Sequence, residues 1–238
     1  MLHIKQPLLN IRKKITAIAT ANNRLGSDVN LLAVSKTQPP SCIREAYQAG
    51  QTAFGENHLQ EARDKQQVLN DLDISWHFIG SIQSNKTRKI AEHFQWVHSV
   101  DRLQVAQRLS QQRPNHLPPL NICLQINIDN EATKSGIPLN ELSSLANMVN
   151  TLPQLRLRGL MIIPAKRDNP SDQRAIFNQA AEIFRQLKLT NPALRLDTLS
   201  MGMSDDMEAA IAAGSTIVRV GRAIFGPRDI VGKPQPLR

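Results

Sequence analysis

A lysine at the end of the first apolar segment is the residue best suited to covalent chemistry. Lys36 follows Leu32 and Val34 at every second position, so in a β-strand the three side chains lie on one face. Leu32 and Val34 would then belong to a packed layer, with Lys36 partly desolvated at its top. Desolvation lowers the pKa of an amine and frees it to attack an aldehyde. The same position also suits a lysine that simply reaches solvent, so the spacing alone leaves both interpretations open.

Two segments later in the chain have the composition of a phosphate site. The first, 200–204, runs Ser-Met-Gly-Met-Ser, and its last residue, Ser204, is suited to cap a helix over 205–213. The second opens with Gly221 and Arg222. Glycine lets the backbone approach a ligand closely, and N–H groups at a helix N-terminus attract anions. Ordinary capping would use the same residues, so the indication of a phosphate comes from the two segments together.

A charged residue interrupts an otherwise largely apolar segment near the end of the sequence. Arg219 lies within 216–221, which has the composition of a buried strand. A charge in such a strand must find a partner or reach a ligand. Two interpretations stay open, an ion pair with a carboxylate inside the fold or a donor aimed at an acceptor atom of a ligand.

Short segments of β character alternate with helical segments along the chain, and these elements must position the side chains above. The strand segments are 31–36, 52–55, 75–79, 96–99, 120–127, 157–163, 196–200 and 216–221. This alternation within 238 residues predicts an α/β fold, a closed (β/α)8 TIM barrel in a single domain, 1–238. A doubly wound open sheet is the alternative. Against it, no Gly-x-Gly-x-x-Gly turn follows the first strand.

The N-terminal segment predicts an extra helix ahead of the barrel. Its apolar residues, Leu8, Ile11, Ile15 and Ile18, recur at spacings of three and four between basic residues. This amphipathic pattern differs from the continuous apolar core of a signal peptide. No stretch of the sequence approaches the length of a membrane span. At the other end we expect the tail after Asp229 to fray.

Composition narrows the classes of partner. The formal net charge of +9 could attract polyanions, but only 4% of the residues are aromatic, and no helix-turn-helix or zinc-finger spacing occurs. We therefore do not expect a nucleic-acid-binding protein. Cys42 and Cys123 lie far apart without the spacing of metal ligands. We expect reduced thiols, no metal site, no membrane association and a cytoplasmic location.

Several short motifs, taken together, resemble those of one known family. The motifs are Ala33-Val34-Ser35-Lys36, Gly55-Glu56-Asn57, His77-Phe78-Ile79-Gly80, Gln83-Ser84-Asn85-Lys86, Ser200-Met201-Gly202-Met203-Ser204 and Arg219-Val220-Gly221. In this order they resemble the pyridoxal phosphate homeostasis proteins, which are similar to the barrel domain of alanine racemase. The resemblance spans about 31–229. It departs from the family at His58, where a tyrosine is expected.

The resemblance implies a cofactor, pyridoxal 5′-phosphate (PLP), and a place for each candidate residue. Lys36 would hold PLP as a Schiff base. Arg219 would face the pyridine nitrogen, and Asn57 and His77 would lie near the ring. The residues expected around the phosphate are Ser200, Ser204, Gly221 and Arg222.

An arginine against the pyridine nitrogen limits the chemistry that PLP could perform. Protonation of that nitrogen would bring two positive charges together, and an unprotonated ring is a weaker electron sink. Racemisation also needs acid–base groups on both faces of the substrate carbon. Lys36 can serve one face, but Tyr47, the only tyrosine, shares a helix face with apolar residues. Cys42 and Cys123 are not well placed either, at a helix start and in mid-strand.

We therefore expect a PLP-binding protein with little or no turnover and no catalytic residues, which stores PLP or delivers it to apo-enzymes. The sequence ends soon after the eighth strand and leaves no room for the dimerising second domain of the alanine racemases, so we expect a monomer. One alternative is a PLP-dependent amino-acid racemase of limited activity. Another is an aldolase that uses Lys36 on a sugar phosphate without a cofactor.

Overall fold

A closed barrel of eight parallel strands forms the centre of the molecule. The structure is a computed structural model that describes residues 4–131 and 135–226. Each strand pairs with the next along the chain, and β8 returns to pair with β1. The strands are β1 (Asn30–Val34), β2 (Ala53–Glu56), β3 (Ser75–Phe78), β4 (Trp96–Val100), β5 (Leu120–Gln125), β6 (Leu155–Met161), β7 (Thr198–Ser200) and β8 (Ile217–Val220). The predicted (β/α)8 barrel is confirmed, and the open sheet is wrong.

Helices cover the outside of the barrel. In the described part of the chain they are α1 (Lys5–Ala21), α2 (Pro40–Gln48), α3 (Leu59–Val68), α4 (Thr87–His93), α5 (Leu103–Gln112), α6 (Leu142–Asn150), α7 (Pro170–Thr190), α8 (Met207–Ala212) and α9 (Arg222–Phe225). The sequence sets the start of α7 clearly. Asn169 accepts a hydrogen bond from the backbone N–H of Ser171, and Pro170 occupies the first helical turn.

The buried apolar residues form two sets. The larger set packs between strands and helices and includes Ala33 of β1. A second set of buried apolar side chains lies outside that cluster: Leu32, Val34, Cys123, Met161 and Ile217. Because side chains alternate along a strand, Leu32 and Val34 face away from Ala33 and into the barrel. Lys36 is the next residue in this inward series.

The predicted extra helix is confirmed as α1. It buries Leu8, Ile11 and Ile15, and it packs against α8 and α9. Arg24, just after the helix, donates to the carbonyl oxygens of Ile211 and Ser215, both at 2.8 Å. These contacts tie the end of α1 to the end of α8 and to the segment that leads into β8.

One predicted boundary is wrong. The helix expected over 205–213, with Ser204 as its N-cap, begins only at Met207. Residues 204–206 form a turn instead, and the carboxylate of Asp206 accepts a hydrogen bond from the backbone N–H of Met203 at 2.5 Å. This local bond stabilises the turn in place of a first helical turn, so the helix starts two residues late.

Two features are absent from residues 4–131 and 135–226. No helix there combines the length and the apolar character that a bilayer crossing needs. No group of His, Cys, Asp and Glu in those ranges could hold a metal ion. The predicted tail after Asp229, and with it the end of the predicted domain, lies outside the described residues.

Candidate functional site

Lys36 lies in the turn directly after β1, at the C-terminal end of the barrel, and is half-buried. On the neighbouring strand β8, Arg219 is in register with Leu32 of β1. Leu32 and Lys36 are four residues apart and belong to the same inward-facing series. Arg219 therefore lies on the inner wall of the barrel, below the level of Lys36.

Arg219 is buried inside the barrel and is held by oxygen atoms. Its Nη1 donates to the carbonyl oxygen and to Oγ of Ser200, both at 2.9 Å, and its Nη2 donates to the carbonyl oxygen of Ile162 at 2.9 Å. Among the described residues, none of its hydrogen-bond partners is a carboxylate. These bonds use three of the five N–H groups of a guanidinium. Burial lowers the pKa of Arg219 to about 10, so the group is still a cation at neutral pH.

A line of hydrogen-bonded side chains runs from Ser200 through the barrel. His98 Nδ1 lies 2.9 Å from Ser200 Oγ, and His98 Nε2 lies 2.9 Å from His77 Nδ1. His77 Nε2 in turn lies 3.2 Å from Ser75 Oγ. β4 and β7 are three strands apart on the ring, so their side chains can meet only in the interior. His77 therefore reaches Arg219 through two intervening residues.

Burial keeps both histidines of this line neutral. It lowers the pKa of His77 to about 3 and the pKa of His98 well below its usual value, to which the nearby His77 and Arg219 also contribute. A neutral imidazole has one donor and one acceptor nitrogen, so the bonds along the line must share a direction. The line thus supplies no negative charge to balance Arg219.

His77 also faces a cavity at the opposite end of the barrel. Its ring stacks on Trp96 with centroids 5.3 Å apart, and the guanidinium carbon of Arg158 lies 4.6 Å from the Trp96 ring. These residues line a space of about 370 Å³ at the N-terminal ends of the strands. Barrels of this class carry their sites at the C-terminal ends. The functional site is therefore assigned to the end that carries Lys36.

The loops after β7 and β8, which are predicted to bind phosphate, are joined by an ion pair. Arg222 Nη2 donates to the carboxylate of Asp205 at 2.5 Å, and both side chains are mostly exposed. Ser204 is half-buried in the turn just before Asp205. The structure thus brings Ser204 and Arg222 to the same end of two neighbouring strands, with Arg222 held by a carboxylate.

Two glycines in these loops allow close backbone packing. Gly202 has a φ of +93°, and a Cβ there would lie 2.5 Å from the Cβ of Ala210. A Cβ on Gly221 would lie 3.0 Å from the carbonyl oxygen of Val34. Gly221 thus brings the start of α9 against the end of β1, two residues before Lys36.

Asn57 follows β2 directly and carries an unsatisfied acceptor. Its Oδ1 is buried and has no hydrogen-bond partner within the described ranges. A Cβ on Gly80, two residues after β3, would overlap the carbonyl oxygen of Asn57, so the two strand ends lie close together. A buried polar atom without a partner is unfavourable. Asn57 Oδ1 is therefore a candidate to accept a hydrogen bond from a ligand.

Sequence reasoning missed several polar residues near the site. His98 carried a usable signal, because it is a titratable residue between the apolar residues Trp96, Val97 and Val100 of a short strand, a pattern similar to the one that singled out Arg219. Lys65 carried none. It contacts the backbone of Ser35, 30 residues away, and that contact depends on how α3 packs against β1.

The barrel, with a lysine after its first strand and a buried arginine on its last, defines the class of alanine racemase-like barrels. Residues 11–229 match the family described as alanine racemase, N-terminal domain. A pyridoxal phosphate homeostasis protein of Pseudomonas aeruginosa is 56% identical over 226 residues, covering 95% of this chain and 96% of the relative. That of Escherichia coli K12 is 55% identical over 229 residues, covering 95% and 97%.

A solved structure agrees with these relatives. PipY of Synechococcus elongatus with PLP bound has a TM-score of 0.79 at 41% sequence identity, covering 89% of this chain and 100% of that chain. Without PLP, PipY has a TM-score of 0.85 at 40% identity, covering 94% and 100%. The chain belongs to the family of the pyridoxal phosphate homeostasis proteins.

Proposed function

We propose that this chain holds PLP as a Schiff base on Lys36 and serves PLP homeostasis, storing or delivering the cofactor with little or no turnover. One observation carries the proposal. Half-buried Lys36 stands above Arg219, a buried cation whose hydrogen-bond partners in the described ranges include no carboxylate. The relatives' name and the PLP-bound state of PipY support the same cofactor.

The proposed covalent step is a reversible condensation. The neutral amine of Lys36 attacks the aldehyde carbon of PLP, and a carbon–nitrogen double bond forms. The aldehyde oxygen leaves as water with the two protons of the amine. Addition of water reverses the step and returns the intact aldehyde. This reversibility suits storage, because a free aldehyde reacts with stray amines.

We propose that Arg219 faces the pyridine nitrogen of PLP. Arg219 retains its charge and has N–H groups beyond those used by Ser200 and Ile162. A donor at that nitrogen opposes its protonation, and the ring is then a weak electron sink. This arrangement favours holding PLP over chemistry on amino acids.

The remaining candidate residues have proposed roles of different kinds. Asn57 would meet the ring through its unsatisfied Oδ1. His77 would act on the ring through His98 and Ser200, because in the described part of the chain its hydrogen bonds lead to Arg219 through those two residues. The groups proposed around the phosphate are Ser204, Gly221 and Arg222, with Ser200 below them.

The positions of the other acid–base candidates support a carrier over a racemase. Tyr47 packs against the core that lies between strands and helices. Burial raises the pKa of Cys123 to about 12, which makes its thiol a poor base at neutral pH. Cys42 is buried within α2. We further propose that the chain forms a single domain, acts as a monomer in the cytoplasm and passes PLP to apo-enzymes.

Titration of the protein with PLP tests whether Lys36 is the lysine that holds the cofactor. Lys36→Ala should abolish the yellow absorbance band that PLP gives with the wild-type protein. Lys86→Ala is the matched control, because Lys86 is an exposed lysine in the segment that follows β3, toward the same end of the barrel. The Lys86→Ala variant should develop the same absorbance band with PLP as the wild-type protein does. A Lys36→Ala variant that keeps the band would contradict the proposal.

Two assays of the loaded protein separate a carrier from an enzyme. Mixed with an apo-enzyme that needs PLP, it should restore activity. Incubated with α-deuterated amino acids, it should release deuterium no faster than free PLP does. Rapid deuterium loss would favour the racemase. A colourless protein that borohydride links to a sugar phosphate would favour the aldolase.

A further inference from the structure

A cluster of two glutamates and a lysine, Glu56, Glu61 and Lys65, binds the backbone beside Lys36. Lys65 Nζ donates to the carbonyl oxygen of Ser35 at 2.7 Å, to Glu56 Oε1 at 2.8 Å and to Glu61 Oε1 at 2.6 Å. Ser35 Oγ donates to the same oxygen of Glu56 at 2.7 Å. Ser35 immediately precedes Lys36, so the cluster fixes the point at which the chain leaves β1.

Glu61 also reaches the residue that follows Lys36. The backbone N–H of Thr37 donates to Glu61 Oε1 at 2.6 Å. Thr37 has a φ of +66°, in the left-handed region that β-branched residues rarely adopt. Such a conformation persists only where the surroundings impose it. Two bonds hold Thr37 there, the bond to Glu61 and the turn bond from the backbone N–H of Gln38 to the carbonyl oxygen of Ser35 at 3.0 Å.

Buried charged side chains are an energetically costly way to attach α3 to the barrel. The side chain of Glu56 is fully buried and that of Lys65 is 5% exposed. Glu56 Oε2 has no hydrogen-bond partner in the described part of the chain, and burial raises the pKa of this carboxyl in spite of Lys65. Apolar residues could join the two elements without this desolvation. They could not donate to one backbone group and accept from another, as the cluster does.

We infer that Glu56, Glu61 and Lys65 are positioning residues that hold the Ser35-Lys36-Thr37 turn in the conformation that presents the Lys36 amine to the PLP aldehyde. The inference rests on the proposed Schiff base at Lys36. A turn held in place before the ligand arrives loses less conformational freedom on binding. PLP therefore binds more tightly and reacts faster with the amine of Lys36.

Glu61 gives the most direct test, because its side chain is 29% exposed. Removal of Lys65 would leave the buried carboxyl of Glu56 without its cation, and removal of Glu56 would take from buried Lys65 one of its two carboxylates, so either change could unfold the protein. Glu61→Ala removes the acceptor for Thr37, whereas Glu61→Gln keeps an amide oxygen there. Glu92→Ala is the matched control, because Glu92 is 27% exposed and pairs with a lysine on its own helix, α4. The PLP dissociation constant and the melting temperature are measured for each.

We expect Glu61→Ala to raise the PLP dissociation constant by roughly tenfold, the effect of losing one charge-assisted hydrogen bond. Glu61→Gln and Glu92→Ala should stay within about threefold of wild type. A purely structural role would lower the melting temperature of Glu61→Ala and leave its affinity, measured well below that temperature, unchanged. That result would overturn the inference, as would equal losses of affinity in Glu61→Ala and either of the other variants.

Failure of the proposed function looks different from failure of this inference. If borohydride fixes PLP on another lysine of the wild-type protein, the Schiff base at Lys36 and the positioning role fall together. If Lys36 carries the label but Glu61→Ala binds PLP as tightly as wild type, the positioning role alone falls.

Discussion

At the scale of single residues, one buried cation in the barrel has only neutral groups as hydrogen-bond partners among the described residues. Arg219 bonds to two carbonyl oxygens and the hydroxyl of Ser200, and beyond Ser200 lie His98 and His77, both uncharged. The carboxylate of Asp206 acts on Arg219 through space, but it is not among the hydrogen-bond partners of Arg219 in the described ranges. The N–H groups of Arg219 that these partners do not use are available to an acceptor on a ligand.

Removing the central histidine of this line should destabilise the fold. In His98→Ala, the groups that His98 now bonds, on His77 and Ser200, stay buried without that partner. We expect a loss of about 2–4 kcal/mol in the free energy of unfolding, measured by denaturant titration. His93→Ala is the control, because His93 is 38% exposed, and it should change stability by about 0.5 kcal/mol or less. Equal effects of the two substitutions would argue against the buried line.

At the scale of elements, the turn from β7 to α8 depends on a glycine. Gly202→Ala would combine a left-handed φ with a clash against Ala210. Gly214, after α8, has a φ of +105°, and no atom lies within 4 Å of the place that a Cβ would take. Gly214→Ala should therefore lose only about 1 kcal/mol from backbone strain, and Gly202→Ala about 1–3 kcal/mol more from overpacking. Thermal unfolding of both variants measures the difference, and similar losses would contradict the close packing.

The elements also show what the sequence could and could not predict. Every strand was predicted to within two residues, because apolar and β-branched runs between polar segments depend on local pattern alone. The predicted start of α8 is wrong, because the Asp206 carboxylate accepts a hydrogen bond from the backbone N–H of Met203 and so replaces the expected cap. Lys36 stood out because it ends a largely apolar segment, and Arg219 because it interrupts one. The cluster around Lys65 did not, because its contacts exist only once α3 packs beside β1.

At the scale of the whole molecule, acidification should reduce stability. In the unfolded chain His77 and His98 take up protons as the pH falls through about 6.5, whereas in the fold burial holds the pKa of His77 near 3 and that of His98 well below its usual value. The unfolded state then binds more protons, so the free energy of unfolding falls by up to about 1.4 kcal/mol per pH unit for each histidine. Glu56 and Asp206 act in the opposite sense, because burial raises the pKa of each carboxyl. The ordinary pKa of a carboxyl lies about two units below that of histidine, so we expect the histidines to dominate in this range of pH.

Denaturant titrations between about pH 7 and about pH 5 measure this dependence. The slope should be smaller in His98→Ala, in which one of the two buried histidines is gone. Stability that stays constant or rises over this range in the wild-type protein would contradict the neutral histidine line.

The proposed storage of PLP depends on one covalent bond. Borohydride reduces a carbon–nitrogen double bond and so fixes PLP permanently on the amine that holds it. After reduction of the PLP-loaded protein and proteolysis, mass spectrometry locates the added mass. We predict that it lies on the peptide that contains Lys36, and that Lys36→Ala carries no such label. A label on another lysine, or a protein that binds PLP but gains no mass on reduction, would contradict the account.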